Sequence, residues 1–448
     1  MSIRSLPESD TDTRYDFESV TTQRTMHHVS APPSPVTPTP PPEPPAGFVP
    51  RLIQPYLERC ARGFPAIALI GPRQSGKSSL ARVAFPGHRA LVLESPDLAD
   101  AARRDPRGLL EAASGSGAAG VILDEVQRVP ALLSYLLEFI DRDPTPGRWV
   151  LTGSESLLLS EGLSQSLAGR VATLDLLPLM HRELLVFPAP AASASQTPAG
   201  AVFTGGYPAI FARGVEPSAW LGSYVSTYVE RDVRRVLNVG DLTAFQRFIA
   251  LCAGRTGQLL NAAALAADAG ITQPTARAWL SVLEATFIIR LLPAWHGNVR
   301  KRLVKAPRLH FIDTGLACYL LGLRSPQHVQ DHPLRGPLFE SWVVGEAFKA
   351  QAALGERGRL FHWRDSRGSE ADLLIERGGR MTVLEIKSGR TYQDEWMRGV
   401  RSVVSSLPNP AAATGRVVYG GDPGDPAAAQ DGMSWRDVGT FVMSVLGG

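Results

Sequence analysis

The segment that constrains the fold most is a glycine-containing octapeptide, Gly71–Ser78, with the sequence GPRQSGKS. It follows the apolar run Ala66–Ile70 and precedes the helix-compatible run Ser79–Ala84. Glycines allow the tight turn in which consecutive N–H groups point at a phosphate, and a following helix adds its positive N-terminal end. The pattern therefore predicts a phosphate-binding loop between a strand and a helix, rather than a chance glycine turn.

The residues of this loop are candidates for binding ATP and Mg²⁺. We expect Lys77 to reach the β- and γ-phosphates and the Ser78 hydroxyl to ligate magnesium. The remaining candidates for cofactor binding are Gly71, Pro72, Arg73, Gln74, Ser75, Gly76 and Ser79.

Strand-like and helix-like stretches alternate over residues 48–188. The candidate strands are Ala66–Ile70, Ala90–Glu94, Gly120–Leu123, Arg148–Leu151 and Val171–Leu174. Several are continuous apolar runs, as in a parallel sheet that is buried on both faces. Strands separated by helical stretches indicate βαβ units, so this region is predicted to be an α/β domain with a doubly wound parallel sheet.

A second element supports the nucleotide site. The apolar run Gly120–Leu123 ends in Asp124 and Glu125. We expect Asp124 to hold magnesium and Glu125 to orient or deprotonate the attacking water. The alternative is a strand-terminal aspartate that caps the next turn.

Two further residues are candidates for the same site. Ser154, or Thr152 beside it, follows a predicted strand and is a candidate contact to the γ-phosphate or the water, against an ordinary strand-to-helix turn. Arg170 is a candidate for stabilising transition-state charge, in its own site or across a subunit interface, against a solvated surface arginine.

Composition indicates which segments are tail or linker and which cellular location the chain has. Residues 1–47 are polar and then proline-rich, with ten prolines between Ala31 and Pro50, which predicts a disordered tail. Residues 189–204 begin with an Ala/Ser/Pro-rich run and are predicted to be a linker. The net charge of +3 does not by itself indicate nucleic acid. Three isolated cysteines and the lack of an apolar run of about 18 residues favour a cytoplasmic protein with no membrane partner.

Residues 205–307 have a helical pattern that includes a candidate helix-turn-helix. One helix is predicted over residues 260–270 and ends at Gly270. Thr272 offers an N-cap for a second helix from Thr275 to about Ala285. The run of residues 287–292 is a candidate for the first strand of a wing.

This winged helix-turn-helix is a candidate contact surface for DNA or RNA. Base edges would be contacted by Gln273, Thr275 and Arg277, and Trp279 is predicted to be core. Phosphates would be contacted by a basic stretch after the wing strand, formed by Arg300, Lys301, Arg302, Lys305 and Arg308. The alternative is a motif that packs against the preceding domain while its charges form a solvated face.

The chain resembles the prokaryotic AAA-type ATPases that carry a C-terminal domain of unknown function. The resemblance covers roughly residues 50 to 405, and it implies an ATPase core of the ASCE class, a winged helix-turn-helix and a PD-(D/E)XK nuclease-like domain. It rests on Gly71–Ser78, Leu123–Gln127, Leu151–Ser154, Ser166–Arg170, Gly205–Pro208, Tyr228–Asp232, Phe311–Ala317 and Gly336–Glu340.

Residues 308–448 are predicted to form a separate α/β domain. Its candidate strands and helices are Leu309–Ile312, Ala371–Glu376, Met381–Ile386, Gly415–Tyr419, Leu338–Gln351 and Gln393–Ser405. Asp372 lies at the start of one strand of a predicted hairpin, and Glu385 and Lys387 lie on the same face of the next.

The two carboxylates of this hairpin are candidates for binding a divalent metal, and Lys387 for activating water or stabilising a phosphate in catalysis. Glu340, on the preceding helix, is a further candidate ligand. The set is similar to that of the PD-(D/E)XK nucleases, except that Ala371 stands where a proline often precedes the aspartate. The alternative is a nuclease-like fold that serves as an interaction scaffold.

Two hypotheses follow for function. In the first, the chain is an Mg²⁺-dependent ATPase that acts on or with nucleic acid, with ATP gating a C-terminal nuclease. In the second, it is a nucleotide-dependent switch, and the C-terminal domain is a non-catalytic scaffold that binds a protein partner. A homo-oligomer is a further candidate partner, in which Arg170 could act across the interface.

Overall fold

The structure, a computed structural model, describes residues 48–154, 167–187, 195–229, 241–297, 305–365, 368–425, 428 and 431–447. The predicted tail over 1–47, residues 189–194 of the predicted linker, the motif residues 164–166 and 230–232, and the basic run 300–302 lie outside this range. The described residues all belong to one compact unit. The boundaries of the predicted regions within that unit therefore stay predictions.

The first sheet contains only parallel strand pairs. Its strands are β1 (Ala66–Ile70), β2 (His88–Val92), β3 (Gly120–Asp124), β4 (Trp149–Gly153) and β5 (Val171–Asp175), in the order β2-β3-β4-β1-β5. Strands β1, β3 and β4 are buried over their whole length, which explains their continuous apolar runs. The α/β fold with a parallel sheet is therefore confirmed, although β2 begins and ends two residues before the prediction because His88 pairs with Gly120.

Helices cover this sheet on both faces. They are α1 (Gln54–Gly63), α2 (Lys77–Ala84), α3 (Pro96–Arg104), α4 (Pro106–Ser114) and α5 (Leu132–Arg142). Alternate residues of one strand feed two different cores, because Ala66 and Ala68 of β1 pack with α5 residues while Ile67 and Leu69 pack with α1 and α2 residues. The phosphate loop lies between β1 and α2, at the carboxyl edge of this sheet, where open α/β sheets bind their ligands.

The middle of the chain is helical. Its helices are α6 (His181–Leu184), α7 (Pro198–Thr204), α8 (Pro208–Arg213), α9 (Pro217–Tyr224), α10 (Leu242–Ala253), α11 (Ala262–Ala269) and α12 (Gln273–Ala285). Gly270 closes α11 in the left-handed conformation at φ 73°, and the Thr272 side chain accepts a hydrogen bond from the N–H of Thr275 at the start of α12. Trp279 is buried, as predicted.

A small antiparallel sheet is formed by one strand that precedes α11 and two strands that follow α12. It consists of β6 (Gln258–Leu259), β7 (Ile289–Leu292) and β8 (Arg308–Phe311), in the order β6-β8-β7. The sequence pattern assigns the strand at 309–312 to the C-terminal domain, but it pairs here with β7 and β6 instead. The reason is the apolar strand β7, whose buried ends, Ile289 and Leu292, need a partner beside them.

The last region contains a mixed sheet. Strands β9 (Leu360–Arg364), β10 (Glu370–Arg377) and β11 (Arg380–Lys387) are antiparallel neighbours, and β12 (Ala413–Tyr419) and β13 (Gly432–Ser434) continue the sheet in parallel. The helices of this region are α15 (Arg335–Leu354), α16 (Trp396–Ser406) and α17 (Val438–Gly447). Two shorter helices, α13 (Thr314–Leu320) and α14 (Pro326–Asp331), precede them.

One hydrophobic core joins the middle and last regions to the segment that follows β5. It contains Leu179, Phe245, Phe311, Leu373 and Trp435. These residues span more than 250 positions of the sequence, so the regions share one core and do not have fully separate ones. Among the described helices none is long and apolar enough to cross a membrane.

Candidate functional site

The phosphate loop has the backbone that its glycines permit. Gly76 precedes α2 at φ 94°, and Gly71 has φ 155°. A Cβ atom on Gly71 would lie 2.1 Å from the carbonyl oxygen of Leu176, so a side chain there would displace the neighbouring backbone. The Lys77 side chain is buried, and its Nζ donates to the carbonyl oxygens of Gly71 at 3.0 Å and Pro72 at 2.8 Å. A cation is thus placed within the loop itself.

The end of β3 brings a carboxylate to the loop. The Ser78 hydroxyl donates to Oδ1 of Asp124 at 2.6 Å, and the Thr152 hydroxyl, at the end of neighbouring β4, donates to the same oxygen. Asp124 is buried at 5% exposure. Serine hydroxyl and carboxylate oxygens are ligands that Mg²⁺ prefers, so these residues fit the expected ion.

Glu125 has a separate set of partners. It has a left-handed backbone at φ 58°, and its N–H donates to the Thr152 hydroxyl at 3.1 Å. Gln127 Nε2 donates to Glu125 Oε2 at 2.6 Å and to Ser154 Oγ at 3.0 Å, and Ser154 Oγ lies 3.2 Å from the same carboxylate oxygen. The Glu125 carboxylate is therefore oriented by two side chains, of which sequence reasoning gave Gln127 no role.

A cavity of about 390 Å³ opens at the loop. The residues that line it include Glu125 and Gln74, Ser75, Gly76, Lys77, Ser78 and Ser79. Its other wall comes from Phe48, Val49, Arg51, Leu179, Phe187, Pro208, Ala209, Ala212 and Arg213. One sequence signal points to this wall, because Pro208 belongs to Gly205–Pro208, one of the motifs of the resemblance.

Arg170 lies apart from this cavity. Its Nε donates to Oδ1 of Asp141 at 2.6 Å, and the side chain is 43% exposed. It is not among the residues that line the cavity. The described structure therefore does not bring Arg170 to the phosphate loop of its own chain.

The C-terminal candidates do come together. A hydrogen bond of 2.9 Å from the N–H of Ile386 in β11 holds Oδ2 of Asp372 in β10. The register of β10 shifts beside Asp372, as in a bulge, which re-aims side chains. Lys387 Nζ lies 2.5 Å from Glu385 Oε1. The hairpin thus assembles as the sequence predicts.

A guanidinium group occupies the place expected for a metal. Arg308, at the start of β8, donates from one nitrogen to Glu340 at 2.7 Å and Asp372 at 3.1 Å, and from the other to Glu370 at 3.0 Å. Arg308 is buried at 6% exposure. In the described part of the chain, no three histidine, cysteine, aspartate or glutamate side chains are grouped so that they could hold a metal ion.

Glu340, Asp372 and Glu385, the residues expected to bind the metal, are not grouped around a common point in the described structure, and Arg308 contacts two of them, Glu340 and Asp372. The buried carboxylates of this cluster have raised pKa values. Burial raises the pKa of Glu340 to about 8, with the neighbouring Asp372 charge adding to the effect. Burial and Asp372 likewise raise the pKa of Glu385 to about 7.

Comparison with known proteins agrees with this geometry. An AAA domain model matches residues 63–185, and two domains of unknown function, DUF8612 and DUF4143, match residues 199–327 and 335–434. The AAA match and the loop define an AAA-type P-loop ATPase.

Two curated relatives are 32% identical over 354 residues, which are 78% of this chain and 76% of each relative. They are Mb2031c of Mycobacterium bovis and Rv2008c of Mycobacterium tuberculosis, each described as an uncharacterized protein. The chain belongs to the family of these mycobacterial proteins.

Solved structures are more distant. A Walker-type ATPase of Pyrococcus abyssi is 18% identical, with a TM-score of 0.42, and the match covers 60% of this chain and 94% of that one. A RuvB protein of Thermotoga maritima is 20% identical, with a TM-score of 0.30, and the match covers 55% and 91%.

Replacing Arg308 by methionine is expected to destabilise the protein by about 3–5 kcal/mol at pH 8, because buried carboxylates lose their cation. The pKa of Glu340 already lies above its unfolded value, and loss of the guanidinium raises it further. The folded variant then binds protons that the unfolded chain does not hold, so its stability falls as pH rises. Because this part of the deficit develops above the wild-type Glu340 pKa of about 8, urea unfolding should show a smaller deficit at about pH 6 than at about pH 9.5.

The control for this comparison is Arg398→Met, which removes an exposed arginine paired with Glu395. It should change the free energy of unfolding by less than about 1 kcal/mol. Equal deficits for the Arg308 variant at both pH values would contradict the electrostatic account.

Proposed function

We propose that the chain hydrolyses ATP in an Mg²⁺-dependent reaction at the cavity beside Gly71–Ser78. The observation that carries the proposal is the shared cavity, because the loop residues and Glu125 line the same cavity. The Ser78–Asp124 contact of 2.6 Å supports the choice of ion, because it joins a hydroxyl and a carboxylate oxygen at the loop.

The residues have distinct roles in this proposal. Backbone N–H groups of the loop from Arg73 to Ser79 hold the phosphates, and Lys77 exchanges its two carbonyl contacts for β- and γ-phosphate oxygens. Ser78 and Asp124 hold magnesium, which when bound neutralises charge on the phosphates. Lys77 lowers the cost of the negative charge that develops in the transition state, and Ser78 and Asp124 would hold the ion that adds to this effect.

Glu125 orients the attacking water and accepts its proton. Ser154 and Gln127 support this role, because both lie within hydrogen-bond distance of Oε2 of Glu125. The exposed position of Arg170 favours a contribution to a neighbouring copy in a homo-oligomer over one to its own cavity.

We further propose that the C-terminal domain, PD-(D/E)XK-like in its hairpin, is a non-catalytic scaffold that responds to the nucleotide. The contact of Arg308 with Glu340 and Asp372 favours this hypothesis over a metal-dependent nuclease. We keep the division into regions 48–188, 205–307 and 308–448 as a proposal. The one change is that β8, which pairs with β6 and β7, is assigned to the middle region. A cytoplasmic location is part of the proposal, and the three free, buried cysteines support it.

Replacing Glu125 by glutamine is expected to leave ATP binding within about threefold of wild type and to slow hydrolysis by about 10²–10⁴, the contribution of a general base. Binding would be measured by titration calorimetry and hydrolysis by phosphate release. Glu111→Gln, an exposed change on α4, is the control and should alter neither. Full hydrolysis by the Glu125 variant would remove Glu125 from the mechanism.

A second candidate function is nucleic-acid binding through α12. The observation in its favour is the exposure of Gln273 and Arg277, which face solvent while Ala276 and Trp279 of the same helix are buried. Thr275 contributes less, because its hydroxyl lies 2.8 Å from that of Thr272 in the helix cap. An exposed, capped helix with an arginine and a glutamine can enter a major groove.

Replacing Arg277 by alanine is expected to weaken binding of duplex DNA by about 5- to 150-fold if it contacts a base, or to lower the salt slope by about 1 if it contacts a phosphate. Fluorescence anisotropy at several salt concentrations distinguishes the two. Arg398→Ala, on α16, is the control. Unchanged affinity and slope for the Arg277 variant would exclude α12 as the contact.

A further inference from the structure

A buried arginine that precedes α1 lies in the wall of the nucleotide cavity and contacts the phosphate loop. Arg51 is 8% exposed. One terminal nitrogen donates to the carbonyl oxygen of Ser75 at 2.9 Å, and the other donates to that of Leu177 at 2.7 Å. Its Nε donates to Oε1 of Glu183 at 3.0 Å. Each guanidinium nitrogen therefore has a protein acceptor, so Arg51 acts through the backbone.

The contact with Ser75 determines the direction of a peptide group in the loop. The Ser75 carbonyl and the Gly76 N–H belong to one trans peptide, so they point in opposite directions. Glycine at φ 94° has little conformational preference of its own and would tolerate rotation of this peptide. The Gly76 carbonyl is already held, since it accepts from the N–H of Leu80 in α2. Arg51 supplies the missing restraint.

Glu183 keeps Arg51 in one orientation. Besides accepting from Arg51, its carboxylate accepts from the N–H groups of Leu52 at 2.7 Å and Met180 at 2.8 Å. Glu183 is 4% exposed. Charge-assisted hydrogen bonds in a buried setting are stronger than neutral ones and hold a rigid geometry. The guanidinium is thus oriented before any ligand binds.

The segment that carries these acceptors is held from its other side by α15. Glu346 accepts from the N–H of His181 at 2.9 Å, and Lys349 Nζ donates to the carbonyl oxygen of Leu179 at 2.9 Å. Lys349 touches the segment but not the phosphate loop. It therefore provides a comparison in which the same segment is loosened without loss of the Arg51–Ser75 contact.

We propose that Arg51 is a positioning residue for phosphate binding: it orients the Ser75–Gly76 peptide so that the Gly76 N–H is available to the phosphates. The proposal rests on the proposed ATPase function and deepens it. The role concerns the phosphate side of the ligand, so it affects inorganic tripolyphosphate as much as ATP.

The test uses Arg51→Lys in the full chain. Lysine keeps a cation beside Glu183, but a single ammonium cannot span the acceptors on Glu183, Ser75 and Leu177. Calorimetric titration with Mg-ATP and with Mg-tripolyphosphate should show both affinities lowered by about tenfold or more. Lys349→Met is the matched control, and it should lower stability while keeping both affinities within about threefold.

The outcomes are distinct. Wild-type affinity in Arg51→Lys, or an equal loss in Lys349→Met, would overturn the positioning role. A wild-type chain that binds no Mg-ATP would refute the proposed function itself, and the inference with it. If Arg51→Lys does not fold, the double variant Arg51→Gln with Glu183→Gln, which removes both buried charges, replaces it with the same expected loss.

Discussion

The segment from Leu177 to Glu183 is the element on which the rest of the structure depends. Arg51 binds it on one side and reaches the phosphate loop, while Lys349 of α15 binds it on the other. Each of these contacts joins a buried charge to a backbone carbonyl, so the segment cannot shift without leaving a charge unpaired. The phosphate loop and α15 therefore contact the same segment, the loop through Arg51 and α15 through Lys349. This shared segment supports the proposal that the C-terminal region responds to the nucleotide.

A second buried charge determines what the C-terminal region can do. Arg308 lies on β8 of the small middle sheet, yet its guanidinium contacts carboxylates on α15 and β10. Its cation supplies the charge that a divalent metal would supply in a nuclease, without the open coordination positions that metal catalysis requires. It also joins the middle sheet to the C-terminal sheet. The same contact thus links the two sheets and favours the proposed scaffold role over a metal-dependent nuclease.

The elements that the sequence predicts correctly depend on local patterns. Apolar runs give β1 and β3, the glycines give the phosphate loop, and Thr272 gives the start of α12. Arg308 could not be predicted, because its partners Glu340 and Asp372 lie 32 and 64 residues away and its basic neighbours made it resemble a phosphate contact. The role of Gln127 and the second wall of the cavity likewise could not be predicted, because each depends on contacts between segments that are distant in the sequence.

The proposed metal–nucleotide site lies at the phosphate loop, and a guanidinium lies in the C-terminal acidic cluster. Counting bound Mn²⁺ by electron paramagnetic resonance tests both statements, with the full wild-type chain and a slowly hydrolysed ATP analogue. We expect one Mn²⁺ per chain, bound only with the nucleotide and coupled to its phosphorus nuclei. A second Mn²⁺, or one that stays bound without nucleotide, would contradict the account.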